Sequence, residues 1–168
     1  MLEVYPGLYV GNQNDYDYDV SRRTGWAVVH ACKEPYHSQA LGYPPGKSAP
    51  KGQYYYVVQL ENRLILNMVD APNPAFFNKI EMIDKALNFI GQMRIREMNT
   101  LIHCNQGESR GPSIALLYMA ARLNALPTDS LEVAEQKFCL IYPNYFPKPG
   151  IRGHLSRYWQ QYCADGKQ

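Results

Sequence analysis

The chain has 168 residues and a formal net charge of +2, with 46% hydrophobic and 19% charged residues. That length suits one domain with a sizeable core, and the near-neutral balance gives no broad field for nucleic acid or a membrane surface. No apolar run approaches membrane-spanning length, and no basic stretch followed by an apolar core marks a signal peptide. Cys32, Cys104, Cys139 and Cys163 are widely spaced and form no C-x-x-C metal pattern, so no cofactor or metal is expected. An activated thiol suits a reducing compartment, so the expected location is cytoplasmic.

Val4 to Gly11, punctuated by Pro6 and Gly7, reads as a turn and a short edge strand. Asn14 to Arg23 reads as a short surface helix. Its alternating Asp15, Asp17 and Asp19 lack the glycine and terminal glutamate of a calcium loop and read as a solvated face. Trp26 to Cys32 is apolar apart from His30, the form of a buried parallel strand. Tyr36 to Gly52 collects Pro44, Pro45, Gly46, Ser48, Pro50 and Gly52 and must be an irregular loop. A nucleotide-binding reading of Gly46-Lys47-Ser48 fails, because Leu41 stands where a glycine is needed. The loop is either a plain linker or a rim carrying Lys47 and Lys51 towards an anion.

Tyr54 to Leu60 is aromatic and β-branched, and predicts a strand. Arg63 to Val69 is a second strand or an extended loop. After a turn at Asp70-Ala71-Pro72-Asn73-Pro74, apolar residues at helical spacing predict a long amphipathic helix over Ala75 to Met93, with Asn73 as cap. Asn99 to His103 is a buried strand, and Ile114 to Leu126 a buried helix. Thr128 or Asp129 caps a further helix to about Leu140, and Ile151 to Tyr162 closes the chain as a helix. Alternating strands and helices predict an α/β fold, a mostly parallel central sheet flanked by helices, as a single domain over residues 1–168.

Between strand and helix lies His103-Cys104-Asn105-Gln106-Gly107-Glu108-Ser109-Arg110-Gly111-Pro112. A turn that opens a helix presents backbone amides and the positive helix end to an anion. A thiol there is poised to ionise and attack. Arg110 offers a planar fork that matches two phosphate oxygens, and Gly107 permits a turn closed to side chains. The run H-C-x-x-G-x-S-R resembles the signature of the cysteine-based protein tyrosine phosphatase superfamily, in its dual-specificity branch. The opening Pro6-Gly7-Leu8-Tyr9-Val10-Gly11 is similar to the start of such domains.

The resemblance implies a metal-independent phosphatase acting through a cysteinyl-phosphate, with Cys104 as nucleophile and Arg110 as phosphate clamp. Asn105, Gln106, Gly107, Glu108, Ser109 and Arg110 would be the substrate-binding loop. Asp70 would be the general acid, at a comparable position upstream of the cysteine; Asp84 is its rival. His103 either supports the cysteine through local hydrogen bonds or is a plain core histidine. The variable positions Asn105, Gln106 and Glu108 add no positive charge, which disfavours inositol phosphates. Phosphorylated proteins carrying phosphotyrosine, phosphoserine or phosphothreonine are the expected partners of a monomer, with no membrane and nucleic acid disfavoured. RNA 5′-phosphatase activity, a phospho-residue-binding pseudophosphatase and sulfur or arsenate chemistry are the alternatives. Two further points come from the resemblance. Gly111 replaces a usual serine or threonine, implying slow phosphoenzyme hydrolysis unless Ser113 compensates. Cys32 is either a reversible disulfide partner for Cys104 or a simple buried thiol.

Overall fold

The architecture is that of a computed structural model, which describes residues 1–73 and 80–165. Six strands form one sheet: β1 (Leu2–Tyr5), β2 (Leu8–Gly11), β3 (Trp26–His30), β4 (Val57–Gln59), β5 (Arg63–Leu66) and β6 (Asn99–His103), in spatial order β1-β2-β6-β3-β5-β4. The four inner strands run parallel and each edge strand is antiparallel to its neighbour. The mostly parallel sheet expected from the alternation of elements is therefore present. The N-terminal segment is a hairpin whose second arm pairs with β6, so it lies further inside the sheet than an edge strand.

The helices are α1 (Gln13–Tyr18), α2 (Ser38–Leu41), α3 (Ile80–Ile95), α4 (Arg110–Ala121), α5 (Leu131–Ile141) and α6 (Pro149–Asp165). No described helix is long and apolar enough to cross a membrane. The predicted start of α3 at Ala75 lies outside the described residues. In α4 every residue from Arg110 to Ala121 is buried, as an all-round apolar helix demands. It begins four residues before the sequence suggests, because the loop after β6 winds straight into it. It ends at Ala121, and the chain turns away through Asn124, whose φ of 50° is left-handed, with Ala125 N–H closing onto Met119 O at 2.8 Å. For α5 the cap is Ser130, its hydroxyl accepting from Val133 N–H, rather than Thr128 or Asp129.

The sheet's faces are covered unequally. Val29 and Ile102 face the main core, shared with Leu87, Ile90, Leu116 and Phe138 from the helices. Residues of opposite parity, Trp26, Val28 and Leu101, form a small cluster with Val20 on the other face. His30 and His103 continue that second face towards the C-terminal strand ends, directly beside the reactive loop. The predicted strand over Tyr54 to Leu60 shrinks to three residues. It is a sheet edge with one partner, and Tyr55 N–H is drawn into a turn with Gly52 O.

Candidate active site

The loop Cys104–Ser109 leaves the centre of the sheet at the end of β6 and enters α4. Its carbonyls are tied outward. Cys104 O faces His103 Nδ1 at 3.4 Å, Asn105 O accepts from Gln13 N–H at 3.2 Å, and Gly107 O accepts from the Tyr142 hydroxyl at 2.8 Å. Glu108 O accepts from Phe146 N–H at 2.8 Å and Ser109 O from Ser113 N–H at 3.0 Å. In a trans peptide the amide lies opposite the carbonyl, so carbonyls anchored outside turn the following N–H groups inward. The first turn of α4 adds amides that no intrahelical carbonyl can take. Amides so turned can serve as donors to an oxyanion. Gly107 makes the turn possible: its φ is +74°, and a Cβ would lie 2.8 Å from Gly11 O.

Arg110 is 7% exposed and held on two sides. Nη1 donates to Met68 O and Nη2 to Asn105 Oδ1, each at 2.9 Å. Nε is buried, has no hydrogen-bond partner, and lies 3.8 Å from Asp70 Oδ2. A buried guanidinium N–H left unmatched is costly in a finished core and suited to an incoming oxygen. The Asn105 side chain is committed to the scaffold, donating also to Glu34 O at 2.8 Å and Gln13 Oε1 at 3.1 Å. Asn105 therefore serves the loop through its amide while its side chain aims Arg110.

Asp70 sits opposite. Its Oδ1 accepts from the Ser109 hydroxyl at 2.9 Å, and that hydroxyl accepts from Lys148 N–H at 3.0 Å. Gly150 N–H donates to Ala71 O at 3.0 Å, tying the same turn to the start of α6. One serine thus clasps the reactive loop, the acid-bearing turn and the connector before α6. Asp84 is placed elsewhere, on α3, near Tyr162, whose hydroxyl pKa is raised by burial first and by the Asp84 charge second. The geometry brings Asp70, not Asp84, to Arg110. Gln106 and Glu108 occupy the loop with exposed and half-buried side chains respectively.

Cys104 is 1% exposed, at the floor of the loop, with all four cysteines present as free thiols. Cys32 is close enough for Arg110 and Cys104 to act on it electrostatically, but burial dominates and pushes its thiol up to about 12. A thiol held protonated is a poor partner for disulfide exchange, which favours the reading of a simple buried side chain. The Ser113 hydroxyl lies within the buried helix, 3.3 Å from Tyr145 Oη.

His103 is also fully buried, its ring parallel to Tyr16 at 5.3 Å and edge-on to Tyr36 at 5.1 Å. Its Nε2 is 2.7 Å from His30 Nδ1, a partner the sequence announced only as a break in an apolar run. Burial lowers His103 to about 4 and holds His30 well below the ordinary histidine range; His37 is lowered for the same reason. The unfolded histidines bind protons near pH 6.5 while the folded ones do not, so stability falls as pH drops from about 6.5 towards 4. Between pH 7 and 5, a window in which carboxylates change little, each fully suppressed histidine contributes a loss of roughly 2 kcal/mol. Urea midpoints measured across that window should therefore decline steadily; a flat profile would contradict neutral, buried imidazoles.

No protein-family model matches the chain. Human dual specificity protein phosphatase 12 is 26% identical over 170 residues, covering 94% of this chain and 41% of that protein. Human dual specificity protein phosphatase 6 is 28% identical over 68 residues, covering 40% of this chain and 18% of that one. The chain thus spans less than half the length of the curated relatives it matches. Among solved structures, the human tyrosine phosphatase-like serine/threonine/tyrosine-interacting protein superposes with a TM-score of 0.67 at 19% identity, covering 96% of this chain and 97% of that one. DUSP15 does so at 0.64 and 20% identity, covering 99% and 94%. In fold and in sequence the chain is dual-specificity-phosphatase-like and resembles the cysteine-based protein tyrosine phosphatase superfamily.

Proposed function

We propose that the protein hydrolyses phosphate monoesters on phosphorylated protein side chains, phosphotyrosine and phosphoserine or phosphothreonine, through a cysteinyl-phosphate. The observation that carries this reading is Arg110: a buried guanidinium clamped on both Nη atoms, with Nε unmatched and facing the acid-bearing turn. In the first step the Cys104 sulfur forms a bond to phosphorus as the phosphorus–oxygen bond to the leaving group breaks. Inward amides and Arg110 take the charge on the three equatorial oxygens, and Asp70 gives its proton to the departing oxygen. In the second step water attacks phosphorus, Asp70 takes a proton back, and the sulfur leaves with the electron pair.

Gly111 bears on the second step. It offers no hydroxyl to the departing sulfur, and Ser113 is engaged with Tyr145. A Cβ at Gly111 would stand 3.0 Å from the His103 carbonyl carbon and 3.1 Å from Cys104 N, so the position is closed tightly against the nucleophile's own backbone. Phosphoenzyme hydrolysis is therefore the slow step, and in the limit of very slow turnover the protein acts as a phospho-residue binder. The test is rapid-mixing hydrolysis of an aryl phosphate in the presence of a chelator. A burst of phenol equal to the enzyme concentration, followed by slow turnover and blocked by vanadate, is expected. Fast linear release with no burst would overturn the rate assignment, and no release at all with intact phosphopeptide binding would leave the binding function alone.

A further inference from the structure

Arg63 lies on β5, two strands away from the reactive loop, yet a continuous chain of ring nitrogens joins it to Cys104. Arg63 Nε is 3.1 Å from His30 Nε2, His30 Nδ1 is 2.7 Å from His103 Nε2, and His103 Nδ1 is 3.4 Å from Cys104 O. The direction of this chain follows from its outer end. An arginine nitrogen can only donate, so His30 Nε2 must accept. A neutral imidazole that accepts at Nε2 carries its hydrogen on Nδ1, and His30 therefore donates to His103 Nε2. That leaves the His103 hydrogen on Nδ1, aimed at the Cys104 carbonyl. The reverse order would set the Arg63 N–H against a His30 N–H and a His103 lone pair against the carbonyl oxygen.

We propose that Arg63 and His30 are positioning residues that fix the tautomer of His103, so that its Nδ1–H holds the Cys104 carbonyl outward and the Asn105 amide inward. The inference rests on the phosphatase reading for its consequence, but not for the hydrogen-bond order itself. Burial keeps both imidazoles uncharged at neutral pH, so neither can donate from both nitrogens. The surroundings restrain the rings without competing for their nitrogens. Tyr36 stacks on His30 with centroids 4.2 Å apart while its hydroxyl donates to Asp17 Oδ1 at 2.9 Å, and Tyr16 covers His103. The Arg63 guanidinium stands over the Tyr16 ring at 5.6 Å, which steadies the donor that sets the order. Rotation of the 104–105 peptide would replace an inward N–H by a carbonyl oxygen, and a carbonyl repels the anion the loop is built to hold.

Long-range proton–nitrogen NMR spectra of the histidine rings in the full chain test this directly. In wild type, His30 and His103 should both show a pyrrole-type Nδ1 and a pyridine-type Nε2. Arg63→Leu should shift both rings towards Nε2–H, weaken binding of inorganic tungstate and lower kcat/KM for an aryl phosphate by about tenfold, less than the roughly 10²–10³-fold cost of deleting an oxyanion donor outright. Arg63→Lys keeps a donor and should retain the wild-type tautomers. A wild-type His103 protonated at Nε2, or Arg63→Leu spectra identical to wild type, would overturn the proposal. Tautomers as assigned in a protein without phosphatase activity would leave the relay standing and remove the catalytic reading alone.

Discussion

Replacement of Cys104 by serine is expected to remove phosphatase turnover by at least about 10⁴-fold while leaving phosphopeptide binding intact. The side chain is almost fully enclosed, and serine is slightly smaller than cysteine, so the fold has no clash to absorb. What changes is the attacking atom. An alcohol oxygen is a far weaker nucleophile towards phosphorus than a cysteine sulfur. The binding ring is made of backbone amides held by carbonyl anchors on Gln13, Tyr142 and Phe146, none of which depends on the sulfur. The variant should therefore trap phosphorylated partners from solution, and steady-state assay alongside phosphopeptide titration checks both halves. Turnover in Cys104→Ser within tenfold of wild type would exclude the cysteine as nucleophile. Loss of phosphopeptide affinity together with turnover would show that the sulfur, rather than the amides, anchors the phosphate.

Local chemistry made some parts of this molecule readable and not others. Asn99 to His103 and Trp26 to His30 are apolar, β-branched and bounded by turn residues, and both are buried parallel strands as their composition demands. The loop from Cys104 to Arg110 is legible because cysteine, glycine and arginine each meet a separate local requirement: the proposed nucleophile, a left-handed turn and the proposed oxyanion fork. The supports of that loop are not local. Tyr142, Phe146 and Lys148 reach it from the connector after α5, and Met68 and Asn105 aim Arg110 through a carbonyl and an amide. Backbone groups leave no trace in residue type, so no spacing rule finds them. His30 was visible as a polar break in an apolar run, yet its role needs the register that sets it opposite His103 in β6. The same limit applies to Tyr54 to Leu60. Its β-propensity is strong, but a strand at a sheet edge extends only as far as its one partner does.

Asp70→Ala is expected to slow hydrolysis by about 10²–10³-fold, with a dependence on the leaving group that identifies the step affected. Expulsion of an alkoxide from phosphoserine needs a proton in the transition state, whereas a nitrophenolate leaves nearly unaided. The loss should thus be largest on phosphoserine peptides, smaller on phosphotyrosine and smallest on activated aryl phosphates. Asp70 has two other connections that a purely structural role would engage, the Ser109 hydroxyl and the Arg110 guanidinium. Removing the carboxylate frees both, and a displaced Arg110 would weaken phosphate binding for every substrate alike. The two roles therefore separate in the kinetics. Loss of general acid catalysis lowers kcat/KM in proportion to leaving-group basicity with tungstate affinity preserved, whereas loss of positioning weakens tungstate binding and lowers all substrates by one factor. Asp70→Asn sharpens the comparison, since the amide can still accept from Ser109 but has no carboxylic proton to transfer. Equal rates for wild type and Asp70→Asn on a phosphoserine peptide would take the proton-donor role away from this residue. A deficit in Asp70→Asn matching that of Asp70→Ala, graded by leaving group, is the result the geometry predicts.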